Sequence, residues 1–117
     1  MAYNKYGAKK TVYNGITYHS KFEAEYAQKL DWRLKAGDIG YWKRQIKIPL
    51  DVNGEHICNY FIDFLIVYNN AALELIECKG AETPVWKLKW KLFLAIYKKK
   101  HPNVLITLVK RTGTTHF

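Results

Sequence analysis

The feature that most constrains the fold of this chain is an apolar segment, from about Ile57 to Tyr68, that contains one carboxylate, Asp63. In a strand, alternate side chains lie on opposite sides, and both sides of this segment are mainly apolar. The expected faces are Ile57, Phe61, Leu65 and Val67 on one side and Tyr60, Ile62, Phe64 and Ile66 on the other. A strand covered on both sides belongs inside a sheet that is flanked by helices, so the segment predicts an α/β fold.

Turn and helix signals predict the elements around that strand. Two Asn-Gly pairs, at 14–15 and 53–54, lie in the pattern of tight hairpins. One helix is predicted from Ser20 to about Ala36, where Gly37 ends it, and another from Pro84 to about Lys100.

Three further strands are predicted over 46–50, 72–79 and 104–109, and Pro49 assigns the first of them to a sheet edge. The order is an N-terminal hairpin followed by αβββαβ. Since the helix over 84–100 connects the last two strands, those strands are predicted to be parallel in a mixed sheet.

The chain has the size and charge of one basic domain. Its 117 residues predict a single domain over 11–117 behind a basic, flexible tail over 1–10, with no secretory signal and no membrane-spanning segment. The formal charge of +9 favours a polyanionic partner, with nucleic acid first and an anionic membrane surface second. A basic domain without such a partner has the same composition.

Acidic residues lie where a buried site would need them. Asp63 is surrounded by apolar residues, and a buried carboxylate needs a cation, a metal or hydrogen bonds. Glu77 and Lys79 end the next strand, two positions apart and therefore on one face. The alternative is that Glu77 and Lys79 form a rim ion pair and that Asp63 accepts backbone hydrogen bonds.

The first predicted helix adds a further carboxylate. Glu23 falls within the apolar stripe that faces the sheet, whereas Glu25 points to the polar side. Ser20-Lys21-Phe22-Glu23 is also a capping box, in which Glu23 would accept a hydrogen bond from the Ser20 backbone N–H. Its direction favours a role beyond capping.

Three carboxylates and a lysine around one cavity predict a particular chemistry. Clustered carboxylates repel one another unless a hard cation lies among them, and all-oxygen sites suit Mg²⁺ or Mn²⁺. In a basic protein the substrate of such a site would be a phosphodiester. Lys79 would orient or deprotonate the attacking water, or neutralise charge that develops on the phosphorus centre.

The same residues resemble a known nuclease signature. Asp63, followed by Glu77-Cys78-Lys79 on the next strand, resembles the PD-(D/E)XK motif, with Ile62 in place of the usual proline. Ser20-Lys21-Phe22-Glu23 resembles the helical S-x-x-E of the phage endonuclease I family of Holliday-junction resolvases. The runs IDF…IECKG and KKKHPNVLITLV are also similar, so the resemblance covers roughly residues 19–110.

The resemblance implies a restriction-endonuclease-like core and a role for each residue. Asp63, Glu77 and the backbone carbonyl of Cys78 would bind Mg²⁺ or Mn²⁺, Glu23 would complete the metal site, and Lys79 would assist the water. Products would carry 5′-phosphate and 3′-hydroxyl ends. In that family a bridging strand exchanges halves between two subunits, whereas here the Asn-Gly turn at 53–54 predicts a strand that folds back on its own chain.

The sequence also contains candidate DNA contacts outside the acidic cluster. Lys87, Lys91 and Lys98 form one stripe on the second helix, and Lys9 and Lys10 lie in the tail with Tyr3 and Tyr6. The lysine stripe has the alternative of being an ordinary solvated face. Surplus aromatic residues on the second helix fit a dimer surface. Gln45, His19 and His101 receive no assigned role.

Three functions are compatible with these patterns. The leading one is a metal-dependent, structure-specific endonuclease, a homodimeric resolvase of branched DNA that acts in the cytoplasm (of the host cell, if phage-encoded). The second is a nuclease of the same fold that cuts linear or single-stranded DNA. The third is a nucleic-acid-binding module whose carboxylates are structural.

The metal-site hypothesis requires a particular strand register. Asp63 and Glu77 must oppose each other on adjacent antiparallel strands, which leaves Asn69-Asn70-Ala71 as a three-residue loop. Such a loop usually needs one left-handed residue, and asparagine adopts that conformation more readily than most. A regular two-residue turn would place the two carboxylates on opposite faces.

Overall fold

A computed structural model describes residues 9–117, and residues 1–8 of the predicted tail lie outside that range. Within it the elements are Thr11–Tyr13 (β1), Ile16–Tyr18 (β2), Lys21–Lys35 (α1), Tyr41–Val52 (β3), Glu55–Val67 (β4), Leu73–Cys78 (β5), Pro84–Lys100 (α2), Leu105–Lys110 (β6) and Gly113–His116 (β7). The α/β class and the order hairpin–αβββαβ are confirmed, and β7 is an addition. In the described range, neither helix is long and apolar enough to cross a membrane.

The sheet is mixed, as the pattern of the sequence predicts. Its five strands are ordered β3-β4-β5-β6-β7, while β1 and β2 form a separate hairpin. β5 and β6, on either side of α2, are parallel, and the other neighbours are antiparallel. β3 lies at the edge, where Pro49 faces Asn59 across the ladder, so the edge prediction is confirmed although β3 is longer than 46–50.

Both Asn-Gly pairs form tight hairpin turns. Asn14, Gly15, Asn53 and Gly54 all have φ between 51° and 82°, the left-handed pair of values that a type I′ turn requires. The second turn joins β3 to β4 within one chain, so β3 folds back on its own β4 and does not bridge to another subunit.

The loop between β4 and β5 has the predicted odd length. Phe64 faces Ile76 and Val67 faces Leu73, and Tyr68 N–H donates to the carbonyl of Ala72 over 2.9 Å. The prediction that an asparagine would be left-handed is wrong, because Ala71 takes that conformation with φ of 71°. The two asparagines serve as hydrogen-bonding side chains instead: Asn69 donates to Gly37 and Asn70 accepts from Ala72 N–H.

Ala71→Gly should therefore stabilise the protein. A residue with a Cβ in the left-handed conformation lowers the free energy of unfolding by about 1–2 kcal/mol, a strain that glycine does not have. Glycine loses more conformational entropy on folding, which offsets roughly 0.5–1 kcal/mol of that gain. We expect the free energy of unfolding, measured with urea, to rise by about 0.5–1 kcal/mol. Ala72→Gly, at the next exposed position, is the control and should lower it. A less stable Ala71→Gly variant would contradict the assigned loop conformation.

The predicted faces of β4 are wrong, because this strand changes sides in the middle. Tyr60 and Ile62 pack in the hydrophobic cluster beneath α2, whereas Phe64 and Ile66 pack in the cluster beneath α1. Residues two apart normally share a face, so the strand must rotate at Asp63. In β3, the position opposite is Gln45, whose φ of 53° interrupts the ladder there.

The aromatic residues of α2 are used mainly within the domain. Trp86, Trp90 and Phe93 are buried against the sheet, which leaves Val85 and Leu88 as the large exposed apolar side chains of this helix. The prediction that these aromatic rings form a dimer surface is therefore wrong, because the rings are buried in the core of the domain.

Candidate active site

A cavity of about 1160 Å³ opens where α1 begins, β5 ends and α2 begins. Its walls include Glu23, Asp63, Glu77 and Lys79, so the structure brings together all four residues that the sequence predicts as a site. The three carboxylates are buried, with 8% of Glu23, 7% of Asp63 and 5% of Glu77 exposed.

Asp63 and Glu77 are linked by a reciprocal pair of hydrogen bonds. The Cys78 N–H donates to Asp63 Oδ2 over 2.8 Å, and the Asp63 N–H donates to Glu77 Oε1 over 3.3 Å. The rotation of β4 at Asp63 frees its N–H from the regular ladder, and the two carboxylates continue the pairing of β4 with β5. The predicted register, which brings both side chains to the same cavity, is confirmed.

Two aromatic side chains hold Glu77 from the other direction. The Tyr60 hydroxyl donates to Glu77 Oε2 over 2.8 Å, and the Trp86 indole N–H donates to the same oxygen over 3.0 Å. Lys79 Nζ lies 5.1 Å from the centre of the Trp86 ring, a cation–π contact. The sequence does not predict Tyr60 or Trp86 as site residues. Their only signal in the sequence is a hydrogen-bonding group on an aromatic ring within a segment that is otherwise apolar.

Glu23 combines a capping position with a place in the cavity wall. Ser20 Oγ accepts a hydrogen bond from the Glu23 N–H over 3.1 Å, which is one half of the capping box. The carboxylate lines the cavity, and its Oε1 lies 3.9 Å from His19 Nδ1. The direction inferred from helical periodicity is thus confirmed, and His19 joins the site as a neighbour.

The cavity makes its carboxylates weaker acids than usual. Burial, and then the negative charge of Glu77, raise the pKa of Glu23 to about 7. Burial and the charges of Glu77 and Glu23 raise the pKa of Asp63 well above its ordinary value. Burial also raises the pKa of Glu77, against the lowering effect of the Tyr60 and Trp86 hydrogen bonds. Lys79 opposes the shift in all three.

The carboxylate oxygens of Glu23, Asp63 and Glu77 have the chemical type and charge that a hard cation prefers, but their positions do not form a coordination site. Within residues 9–117, no three side chains of His, Cys, Asp or Glu form a group that could hold a metal ion as they stand. Both oxygens of Glu77 accept hydrogen bonds from the protein. Of these bonds, the one from the Asp63 N–H is the longest, and its release would free an oxygen that faces Asp63.

Basic side chains surround the mouth of the cavity. Its walls include Lys9, Lys10, Lys21, Lys89 and Arg111. Of the lysines predicted to contact DNA, Lys9 and Lys10 line the cavity, whereas Lys87, Lys91 and Lys98 are exposed on α2 and do not line it.

The three residues without an assigned role separate into two groups. Gln45 and His19 line the cavity, and Gln45 has the strained left-handed backbone opposite Asp63. Strain of this kind persists where the surrounding structure imposes it, often at functional sites. His101 lies elsewhere, with its ring 4.4 Å from that of Tyr97 at the end of α2.

Comparisons with known proteins give a family and a distant similarity to a solved structure. Residues 3–113 match the family model described as a protein of unknown function, DUF1064. No curated protein matches the chain. The crystal structure of SSO0001 is similar with a TM-score of 0.40 and 15% sequence identity, over 80% of this chain and 48% of that one. The chain therefore spans about half the length of that relative.

Proposed function

The chain belongs to the DUF1064 family of proteins of unknown function, and we propose that it is a metal-dependent endonuclease that hydrolyses phosphodiester bonds in DNA. One observation carries the proposal: three buried carboxylates and a lysine line one cavity whose mouth is basic. Burying three mutually repelling carboxyl groups costs free energy, and a cation bound among them would offset that cost, which supports a functional site here.

The cofactor of the proposed reaction is Mg²⁺ or Mn²⁺. Asp63, Glu77 and Glu23 would hold it with the backbone carbonyl of Cys78, as the PD-(D/E)XK resemblance implies, because hard cations prefer oxygen ligands. The cation would supply Lewis-acid polarisation of the phosphodiester. Its positive charge would also relieve the repulsion that raises the pKa of the carboxyl groups.

The other groups of the site bind, orient and neutralise. The Cys78 N–H at the end of β5 restrains the Asp63 carboxylate. The Tyr60 hydroxyl and the Trp86 indole N–H restrain the Glu77 carboxylate. Lys79 presents a positive charge to the same cavity, where it would stabilise charge on the phosphate during displacement. Lys9 and Lys10 would contact phosphates at the mouth.

The narrower form of the proposal is a phage-type resolvase of branched DNA that acts as a homodimer inside the cell. A four-way junction needs two symmetric cuts, and two copies would supply two cavities. The self-paired β3–β4 hairpin favours a dimer without exchanged halves. Exposed Val85 and Leu88 on α2 are apolar side chains available for such a contact.

A cleavage assay tests the proposal directly. The purified chain is incubated with Mg²⁺ or Mn²⁺ and a four-way junction, a linear duplex of the same arm sequence or a single strand, with EDTA as the control. The proposal predicts cation-dependent products with 5′-phosphate and 3′-hydroxyl ends. Preferential junction cutting supports the resolvase, and cutting of linear or single strands supports the second enzyme function. Binding without cleavage of any DNA would leave a binding module.

Lys79→Met should lower the cleavage rate and alter its pH dependence. The lysine lowers the pKa of Glu23, Asp63 and Glu77, so its loss should move the acidic limb of the pH–rate profile to higher pH. We expect a loss of at least about a hundredfold near neutral pH, with DNA affinity changed only a few-fold. Lys43→Met, an exposed lysine of β3 outside the cavity walls, is the control. An unshifted pH–rate profile would show that Lys79 does not act on these carboxylates.

A further inference from the structure

Phe61 is an exposed aromatic side chain beside the carboxylates. It lies on β4 two residues before Asp63 and lines the same cavity, yet 52% of it is exposed. Two residues of an extended strand span about 6.6 Å, a distance comparable with the size of one nucleotide. A phosphate at Asp63 would therefore place an adjacent base within reach of the Phe61 ring.

One basic side chain is the cross-strand neighbour of this ring, and two others line the cavity that the ring enters. Lys47 is its direct partner across the ladder, so the two side chains project from the same face of the β3–β4 hairpin. Lys9 and Lys10 lie in the walls of the same cavity. An aromatic face flanked by cations is the combination that binds a nucleotide, since the ring accepts the base while the lysines neutralise phosphates.

Another exposed apolar residue of β4 provides a comparison. Ile57 lies four positions before Phe61 on β4, where the β3–β4 register shifts, and 53% of it is exposed. It does not line the cavity. Ile57 and Phe61 are therefore equally exposed apolar residues that differ in their distance from the acidic cluster.

We propose that Phe61 stacks on an unpaired base next to the cleaved phosphodiester, so that the substrate is DNA whose bases are unpaired or splayed at the cutting position. Paired bases of an intact duplex are stacked on one another and offer no face to a side chain. Single strands, flaps and branch points do offer one. This inference rests on the proposed nuclease function and narrows its substrate class.

The test compares two substrates that differ only in pairing. One is a duplex, and the other has the same cut strand with the bases around the cutting position left unpaired. Phe61→Ala should lower kcat/KM on the unpaired substrate about tenfold, the order of a lost base–aromatic stack, and change duplex cutting less than about threefold. Phe61→Trp should retain activity on both, and Ile57→Ala should change neither.

A binding measurement separates stacking from folding or chemistry. With the cleavage-deficient variant Asp63→Asn, the fluorescence of 2-aminopurine at the position next to the cut should change on binding. The change should be absent with Asp63→Asn combined with Phe61→Ala. Because Phe61 is exposed, both proteins should have the same melting temperature.

Each result bears on one of the two proposals. If the wild type cuts DNA but Phe61→Ala affects paired and unpaired substrates equally, or neither, the stacking inference is overturned while the nuclease proposal stands. If the wild type cuts no DNA with Mg²⁺ or Mn²⁺, the nuclease proposal fails, and the inference fails with it.

Discussion

Asp63→Asn and Glu77→Gln are expected to abolish cleavage while the protein stays folded and still binds DNA. Each change removes one negative charge and one proposed metal ligand with little change of volume. Loss of a group that merely orients a metal ligand costs about 10- to 100-fold, so loss of a ligand should cost at least about a hundredfold. DNA affinity should be unchanged or higher, since a repulsive charge near the phosphate is gone.

The matched control for both variants is Glu74→Gln. Glu74 is a buried carboxylate on the same strand as Glu77, but it accepts hydrogen bonds from Tyr68 and Thr107 and does not line the acidic cavity. We expect its variant to retain the cleavage rate per folded molecule. Near wild-type cutting by Asp63→Asn or Glu77→Gln would show that the acidic cavity is not the catalytic site.

Glu23→Gln should stabilise the metal-free protein at high pH. The pKa of Glu23 rises from 4.5 to about 7 on folding. A carboxyl with a raised pKa contributes most to stability below its unfolded pKa, and that contribution is lost as the pH rises through the folded value. With EDTA, wild type and variant should have similar free energies of unfolding at pH 5. At pH 8 the variant should be more stable by as much as about 3 kcal/mol.

Two further measurements make this result specific. The control is Glu25→Gln, because Glu25 is exposed on the polar side of α1, where it pairs with Arg111. This variant should show no increase in the free energy of unfolding at pH 8. Added Mg²⁺ or Mn²⁺ should raise the melting temperature of the wild type at pH 8 more than that of Glu23→Gln. A Glu23→Gln variant that is less stable than the wild type at pH 8 would contradict a repelled, buried Glu23.

Local signals predict most of the elements because their causes are local. Ser20 caps α1, Pro84 starts α2, and each Asn-Gly pair forms its turn with contacts inside a few residues. Two features depend on pairing instead. The first part of β3, from Tyr41 to Gln45, is rich in polar residues and is held as a strand by β4. β7 is short, its four residues are exposed, and it is held by pairing with β6.

The acidic residues of the site could be predicted from their spacing, whereas the aromatic residues around them could not. Glu23, Asp63, Glu77 and Lys79 have spacings that assign each to a face of its own element, and the topology then brings those faces together. The contacts of Trp86 and Tyr60 with Glu77 join different elements, and neither side chain has a spacing that indicates a polar role. The rotation of β4 lies opposite the left-handed Gln45 of the neighbouring strand, and no pattern within β4 predicts it.

The change of sides at Asp63 places this residue at the junction between two packing layers. One half of β4 packs with α2 and the other half with α1, because each belongs to a different hydrophobic cluster. We expect a displacement of one layer relative to the other to turn the Asp63 carboxylate relative to Glu77. A bulkier side chain at Ile48 or Leu30, each deep in one layer, would thus retune the distance between the two carboxylates without reaching the cavity.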